Sequence, residues 1–123
     1  MLGFIKDLLR SPEAQRDPHY WASVYGGHAY IALGPWGIIA IGLDMWTAAW
    51  LTPLLYFIVW EGAQWAILKK RTCPLLWDGI LDTVSVAFAC YAASLLGHGY
   101  QLASVWCWGA SVGVMLTGVR VRS

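Results

Sequence analysis

Residues 60–82 read WEGAQWAILKKRTCPLLWDGILD. The triplet Lys69-Lys70-Arg71 separates two apolar runs, and Glu61, Asp78 and Asp82 stand inside those runs. A basic break between apolar stretches is the pattern of a helical hairpin that turns back at a membrane face. Ionised carboxylates within such helices are expensive, at about 2.5 to 3.5 kcal/mol each on insertion scales, so they mark positions where helices face one another.

Working outward, the rest of the chain repeats this arrangement. All eight basic residues fall in three short segments: Lys6, Arg10 and Arg16, then Lys69 to Arg71, then Arg120 and Arg122. Between them lie 52 residues (Asp17 to Leu68) and 48 residues (Thr72 to Val119) without Lys or Arg. A bilayer core of about 30 Å takes about 20 helical residues, so each block suits a pair of helices. The composition agrees, with 59% hydrophobic residues, 12% charged residues, nine Trp and thirteen Gly among 123 residues. Soluble domains carry roughly 25% charge. Trp gathers at membrane interfaces, and Gly is commoner in membrane helices.

The expected fold is all-α: four transmembrane helices arranged as two hairpins, preceded by a short amphipathic helix. Residues 1–20 form the interfacial segment, with Leu2, Ile5, Leu8 and Leu9 at helical spacing. Residues 21–119 form the membrane domain and 120–123 a basic tail. The four spans run over about 21–43, 47–68, 74–96 and 101–119, with breaks at Asp44-Met45-Trp46, at the basic triplet and at Gly97-His98-Gly99. Four spans place every Lys and Arg on one side, which the positive-inside rule makes cytoplasmic. No cleavable signal peptide is apparent at the start. Cys73, Cys90 and Cys107 show neither CxxC nor CxxH spacing, so neither a disulfide framework nor a zinc site is signalled.

At about 1.5 Å per residue, Glu61 lies roughly 10 Å inside its helix end, Asp78 about 6 Å, Asp82 about 12 Å and His28 about 10 Å. All four therefore share one leaflet. Asp78 and Asp82 are four apart and occupy one helical face, which Ser85 continues; Glu61 and Gln64 share another. Turned inward, Glu61, Gln64, Asp78 and Asp82 can share protons, bind a cation or pair with Arg71 or Lys70 at the membrane edge. The oxygen ligands of Glu61, Asp78 and Asp82 suit Mg²⁺ or Mn²⁺, and such an ion would clamp a lipid phosphate. A closed hydrogen-bond network without any ligand is the plainer alternative, and an interfacial role is the plainer one for His28.

The spacing from Glu61 through Gln64, Arg71 and Asp78 to Asp82 resembles the signature of the VanZ-like family of small bacterial membrane proteins. In that family an ExxQ at the end of one membrane helix precedes a basic loop and a helix bearing Asp and, one turn on, usually Asn. Asp82 departs from that pattern, and VSVAFACYAAS replaces the family's glycine-rich continuation. The resemblance implies a ligand-binding set of Glu61, Gln64, Arg71, Asp78 and Asp82, to which depth adds His28. It also implies a place in the bacterial cytoplasmic membrane and the cell envelope, with no settled reaction.

Three functions compete at this point. One is a polar site for an envelope lipid head group or a cation. Another is a self-associating, holin-like lesion or pore former, favoured by small residues in the last helix, including the GxxxG from Gly109 to Gly113. The third is an accessory subunit of a membrane complex. No P-loop, HExxH or nucleophile paired with a base is present, so no reaction is assigned, and nothing points to nucleic acid. The topology is testable by single cysteines at positions 15, 71 and 122 in a chain otherwise free of cysteine. All three are expected to react with an impermeant reagent from the cytoplasmic side only, and periplasmic labelling at position 71 would overturn the topology.

Overall fold

The computed structural model describes residues 17–68 and 73–123, leaving aside the side chains of residues 67, 68 and 73–76. Among these residues there are helices and short turns and no strand. Residues 1–16 of the expected interfacial segment and the basic loop at 69–72 lie outside the described residues.

Helix α1 spans Pro18–Gly42. Asp17 caps it by accepting the Tyr20 N–H at 2.8 Å, and Pro18 takes the first position, where a missing N–H costs nothing. A two-residue turn at Leu43 and Asp44 leads to α2, Met45–Leu55. Here Asp44 is the cap, accepting the Thr47 N–H at 2.8 Å and its hydroxyl at 2.5 Å. Those two bonds hold the exposed Asp44 carboxyl below the usual carboxylate range. The chain then continues as a π-helical turn, Tyr56–Glu61, and as α3, Gly62–Leu68. Since Tyr56 and Gly62 keep right-handed helical dihedrals at the joins, α2, the π-turn and α3 form one rod.

Helix α4 covers Cys73–Gly97 and α5 Gln101–Arg122. Between them, the Tyr100 N–H bonds Leu95 O at 2.9 Å and the Gly99 N–H bonds Leu96 O at 3.0 Å, with Gly99 at φ 82°. This pair of bonds is a Schellman closure, which needs the positive φ that glycine adopts freely.

Helices α1 and α4 form a central pair, flanked by the rod on one side and α5 on the other. The centre is made of small residues, Ala48, Ala49, Ala89, Cys90 and Ala92, which let backbones approach closely. Serines then bridge the helices. Ser85 donates to Tyr25 O at 2.7 Å, Ser94 to Met45 O at 2.7 Å and Ser104 to Ala92 O at 2.8 Å. The large apolar side chains point outward instead, among them Ile38, Trp50, Ile58, Trp77, Leu102 and Trp106, each more than half exposed. Cys90 is buried and Cys107 only partly so; both are free thiols.

Two stretches are long and apolar enough to cross a membrane, Trp77–Gly97 and Gln101–Arg122. The expected set of four spanning helices is thus met for two by length and apolarity. In α1 the His, Tyr and Gly residues dilute the aliphatic ones, and the rod is divided by its π-turn.

At one end of the bundle the Trp21 ring lies against Gly118, and the Arg122 guanidinium sits 4.4 Å from the ring centroid. At the other end Met45 lies against Gly97. A Cβ at position 118 would enter the ring of Trp21, a buried and rigid side chain, whereas one at Gly113 meets open space. Gly118→Ala is therefore expected to destabilise by about 1 to 3 kcal/mol. Gly113→Ala is expected to be neutral or stabilising by up to about 1 kcal/mol. Thermal unfolding of both variants in detergent checks the contrast.

Candidate functional site: a buried chain of hydrogen bonds across three helices

Proline 53 in α2 lacks the N–H that would bond Ala49, and the helix gives up its regular ladder within one turn of it. The π-turn that follows has a geometric consequence for Tyr56 and Glu61. Residues five apart in an α-helix stand about 140° from each other, nearly on opposite faces. A turn closed by i→i+5 bonds brings them to one face. The Tyr56 hydroxyl accordingly donates to Glu61 Oε1 at 2.9 Å.

The same hydroxyl lies 2.9 Å from His28 Nδ1 on α1, and His28 Nε2 lies 3.3 Å from Asp82 Oδ2 on α4. Asp82, His28, Tyr56 and Glu61 thus form one chain linking α4, α1 and the rod. His28, Glu61 and Asp82 are each at most 5% exposed, so nearly all of it is out of solvent. Trp60 closes it on one side, with its ring 6.0 Å from that of His28 and 6.3 Å from that of Tyr56. Beyond Tyr56, the buried apolar group of Ala32, Val86 and Cys90, with Trp36 packed against it, closes off the centre of the bundle. The chain therefore belongs to the half of the bundle where Trp21, Gly118 and Arg122 meet.

Proton positions follow from the donor and acceptor count. Tyr56 has one hydrogen and gives it to Glu61, so His28 Nδ1–H must donate to the Tyr56 oxygen. The His28–Asp82 link then closes either as imidazolium with carboxylate or as neutral imidazole with carboxylic acid. With Glu61 ionised, both forms leave the four groups with one net negative charge, at Glu61. Such a chain can hold a charge at one end and move a proton along its length.

Two of the other expected site residues also lie inside the bundle. Asp78 and Gln64 are buried, at 7% and 3% exposure, and Asp82 lies within electrostatic range of Glu61, Asp78 and Arg122. The Glu61 carboxylate rests on Gly79, where any Cβ would collide with it. Glu61 thus lies against the residue that follows Asp78 and within electrostatic range of Asp78 itself. Arg71 lies outside the described residues. The suggested metal set of Glu61, Asp78 and Asp82 does not converge: no three His, Cys, Asp or Glu side chains among the described residues are placed to hold an ion together. Glu61 is turned to Tyr56 and Asp82 to His28, which spreads the carboxylates along the chain. Asp44 and His98 sit at the opposite end, exposed, with His98 stacked on Trp46 at 4.5 Å.

Tyr56 was not legible as a site residue, because an α-helical reading puts it on the face away from Glu61. The available signal was Pro53 shortly before a Tyr and a Glu in an apolar run. Compared with known families, characterised proteins and solved structures, the chain matches none. Tyr56→Phe would leave both His28 Nδ1 and Glu61 Oε1 without their partner. It is expected to cost about 1 to 3 kcal/mol, and His28→Gln should cost less in that background than alone. A double-mutant cycle by thermal unfolding in detergent measures the coupling, and additive effects would show that the chain does not act as a unit.

Proposed function

We propose that this chain is an integral membrane protein with four spans whose buried polar chain binds a lipid head group from one leaflet. The observation that carries the reading is the inverted distribution of polarity. The polar groups His28, Thr52, Glu61, Gln64, Asp78, Asp82 and four serines are buried, while large apolar side chains of α1, α2, the π-turn, α4 and α5 face outward. A soluble protein seldom exposes so much contiguous apolar surface, and hydrocarbon is the environment that favours it. The outward apolar residues of α1 and the rod, such as Tyr30, Ile38, Ile41, Trp50 and Ile58, extend the argument to the two elements that fall short by length and apolarity.

Orientation supports the same reading. Trp21 near the start of α1 and Gly118 near the end of α5 are in contact, as are Glu61 near the end of the rod and Gly79 near the start of α4. Every basic residue of the sequence therefore lies in a segment attached to, or within, one end of the bundle. On the positive-inside rule that end is cytoplasmic, with both termini on that side. The bacterial cytoplasmic membrane and a place beside the VanZ-like proteins follow as part of this proposal, through the Glu61-to-Asp82 spacing.

A second reading, self-association through α5, rests on one specific observation. Gly109 and Gly113 have open space where a side chain would project, and α5 keeps most of its surface outward. A partner helix can approach such a face closely. The apolar closure at Ala32, Val86 and Cys90 gives no support to a polar path through the single bundle.

Native mass spectrometry of the protein extracted from membranes tests the lipid reading. The unaltered protein is expected to retain phospholipid. Glu61→Gln should fold with undiminished thermal stability, because it removes a buried charge but keeps hydrogen bonding, and it should lose that lipid. Equal lipid retention in a Glu61→Gln and Asp78→Asn double variant would assign the chain of groups a purely structural role.

A further inference from the structure

The lipid-site reading leaves open which head group is bound, and the surroundings of Glu61 bear on that. Beside the π-turn, a groove of about 400 Å³ runs between the rod and α4. Phe57, Ile58, Trp65 and Ala66 wall it, with Glu61 and Gly79 also in its lining. Ile58 is 59% exposed and Phe57 39%, so the groove opens sideways, toward the apolar surroundings of the bundle rather than along its axis.

Glu61 is the charged group of this groove. Its Oε1 accepts from Tyr56, while Oε2, which rests on Gly79, accepts no hydrogen bond among the described residues. An ionised carboxylate offers about four acceptor positions, so a side chain 95% buried with one donor is under-satisfied. When ionised, Glu61 puts a negative charge at this end of the chain. What completes the groove is a donor carrying positive charge, and Phe57 and Trp65 add aromatic walls of the kind that attract cations.

We propose that this groove takes the primary ammonium head group of a membrane aminolipid, with the ammonium donating to Glu61 Oε2 and the apolar part of the lipid lying along Ile58 and Ala66. The inference rests on the lipid-site reading and narrows it to a head-group class. A hydroxyl head group would supply a donor without balancing the charge. A quaternary ammonium would balance the charge without an N–H to give. Of these three head groups, the protonated primary amine does both. Gly79 is the residue that allows the carboxylate to lie against α4 at the floor of the groove.

The test places the protein in nanodiscs of phosphatidylcholine doped in turn with phosphatidylethanolamine or phosphatidylglycerol, and reads the bound lipid by native mass spectrometry after release into detergent. Phosphatidylethanolamine is expected to be retained about tenfold over either of the others, as for one charge-assisted hydrogen bond. Glu61→Gln should abolish the preference. Ile58→Trp, at an exposed position on the rim, should fill the groove and lower retention while leaving thermal stability unchanged, which guards against a misfolded Glu61 variant. Retention of all three lipids alike, or a phosphatidylethanolamine preference that survives both substitutions, would overturn the proposal. Lipid retained without selectivity but lost in Glu61→Gln would overturn the head-group assignment alone and leave the lipid site standing.

Discussion

The Tyr56 hydroxyl, 2.9 Å from both His28 Nδ1 and Glu61 Oε1, is the contact on which the arrangement of this bundle turns. Carboxylates buried among helices must find partners or lose far more than a single hydrogen bond returns. Tyr56 gives Glu61 a donor and His28 an acceptor at once, and His28 in turn meets Asp82. One hydroxyl thereby couples α1, the rod and α4. The π-turn is what makes this possible, since regular helix would send Tyr56 and Glu61 to different faces.

Around that chain the bundle is held by close approach rather than by large side chains. Alanines and Cys90 occupy the centre, and Ser85, Ser94 and Ser104 donate to backbone carbonyls of neighbouring helices. Trp36 donates to Ser94 at 2.9 Å, and the Tyr25 hydroxyl pairs with Ser111 at 3.1 Å, so aromatic residues from α1 reach both α4 and α5. In hydrocarbon there is little gain from packing one apolar side chain on another helix, and interhelical hydrogen bonds with short backbone separations supply the cohesion. On the proposed membrane placement, the outward Trp, Ile and Leu residues belong to the same solution, because they would meet a solvent as apolar as themselves.

The two halves of the bundle differ in content. One half carries the acidic groups, the groove beside Glu61 and the junction of Trp21, Gly118 and Arg122. The other holds the capped turn at Asp44, the glycine closure at Gly99 and the stacked pair of Trp46 and His98. Ala32, Val86 and Cys90 lie between them. On the proposed lipid-site reading, Glu61 meets its ligand from its own side, through the lateral groove.

From the sequence alone, the helical class and the turns near Asp44 and at Gly97-His98-Gly99 were readable, and helical rise set Glu61, Asp78, Asp82 and His28 at one expected depth. Charge placement, glycine and capping residues act locally, and helical rise converts position into depth. The same arithmetic could not find Tyr56, because its approach to Glu61 depends on a change of helical period that begins just after Pro53. Nor could it tell that Asp82 would turn to His28 and Glu61 to Tyr56 instead of converging on an ion. Those choices are made by the distances between helices, which Gly79 and the central alanines set. A side-chain pairing across three helices is a property of that packing and of no single segment.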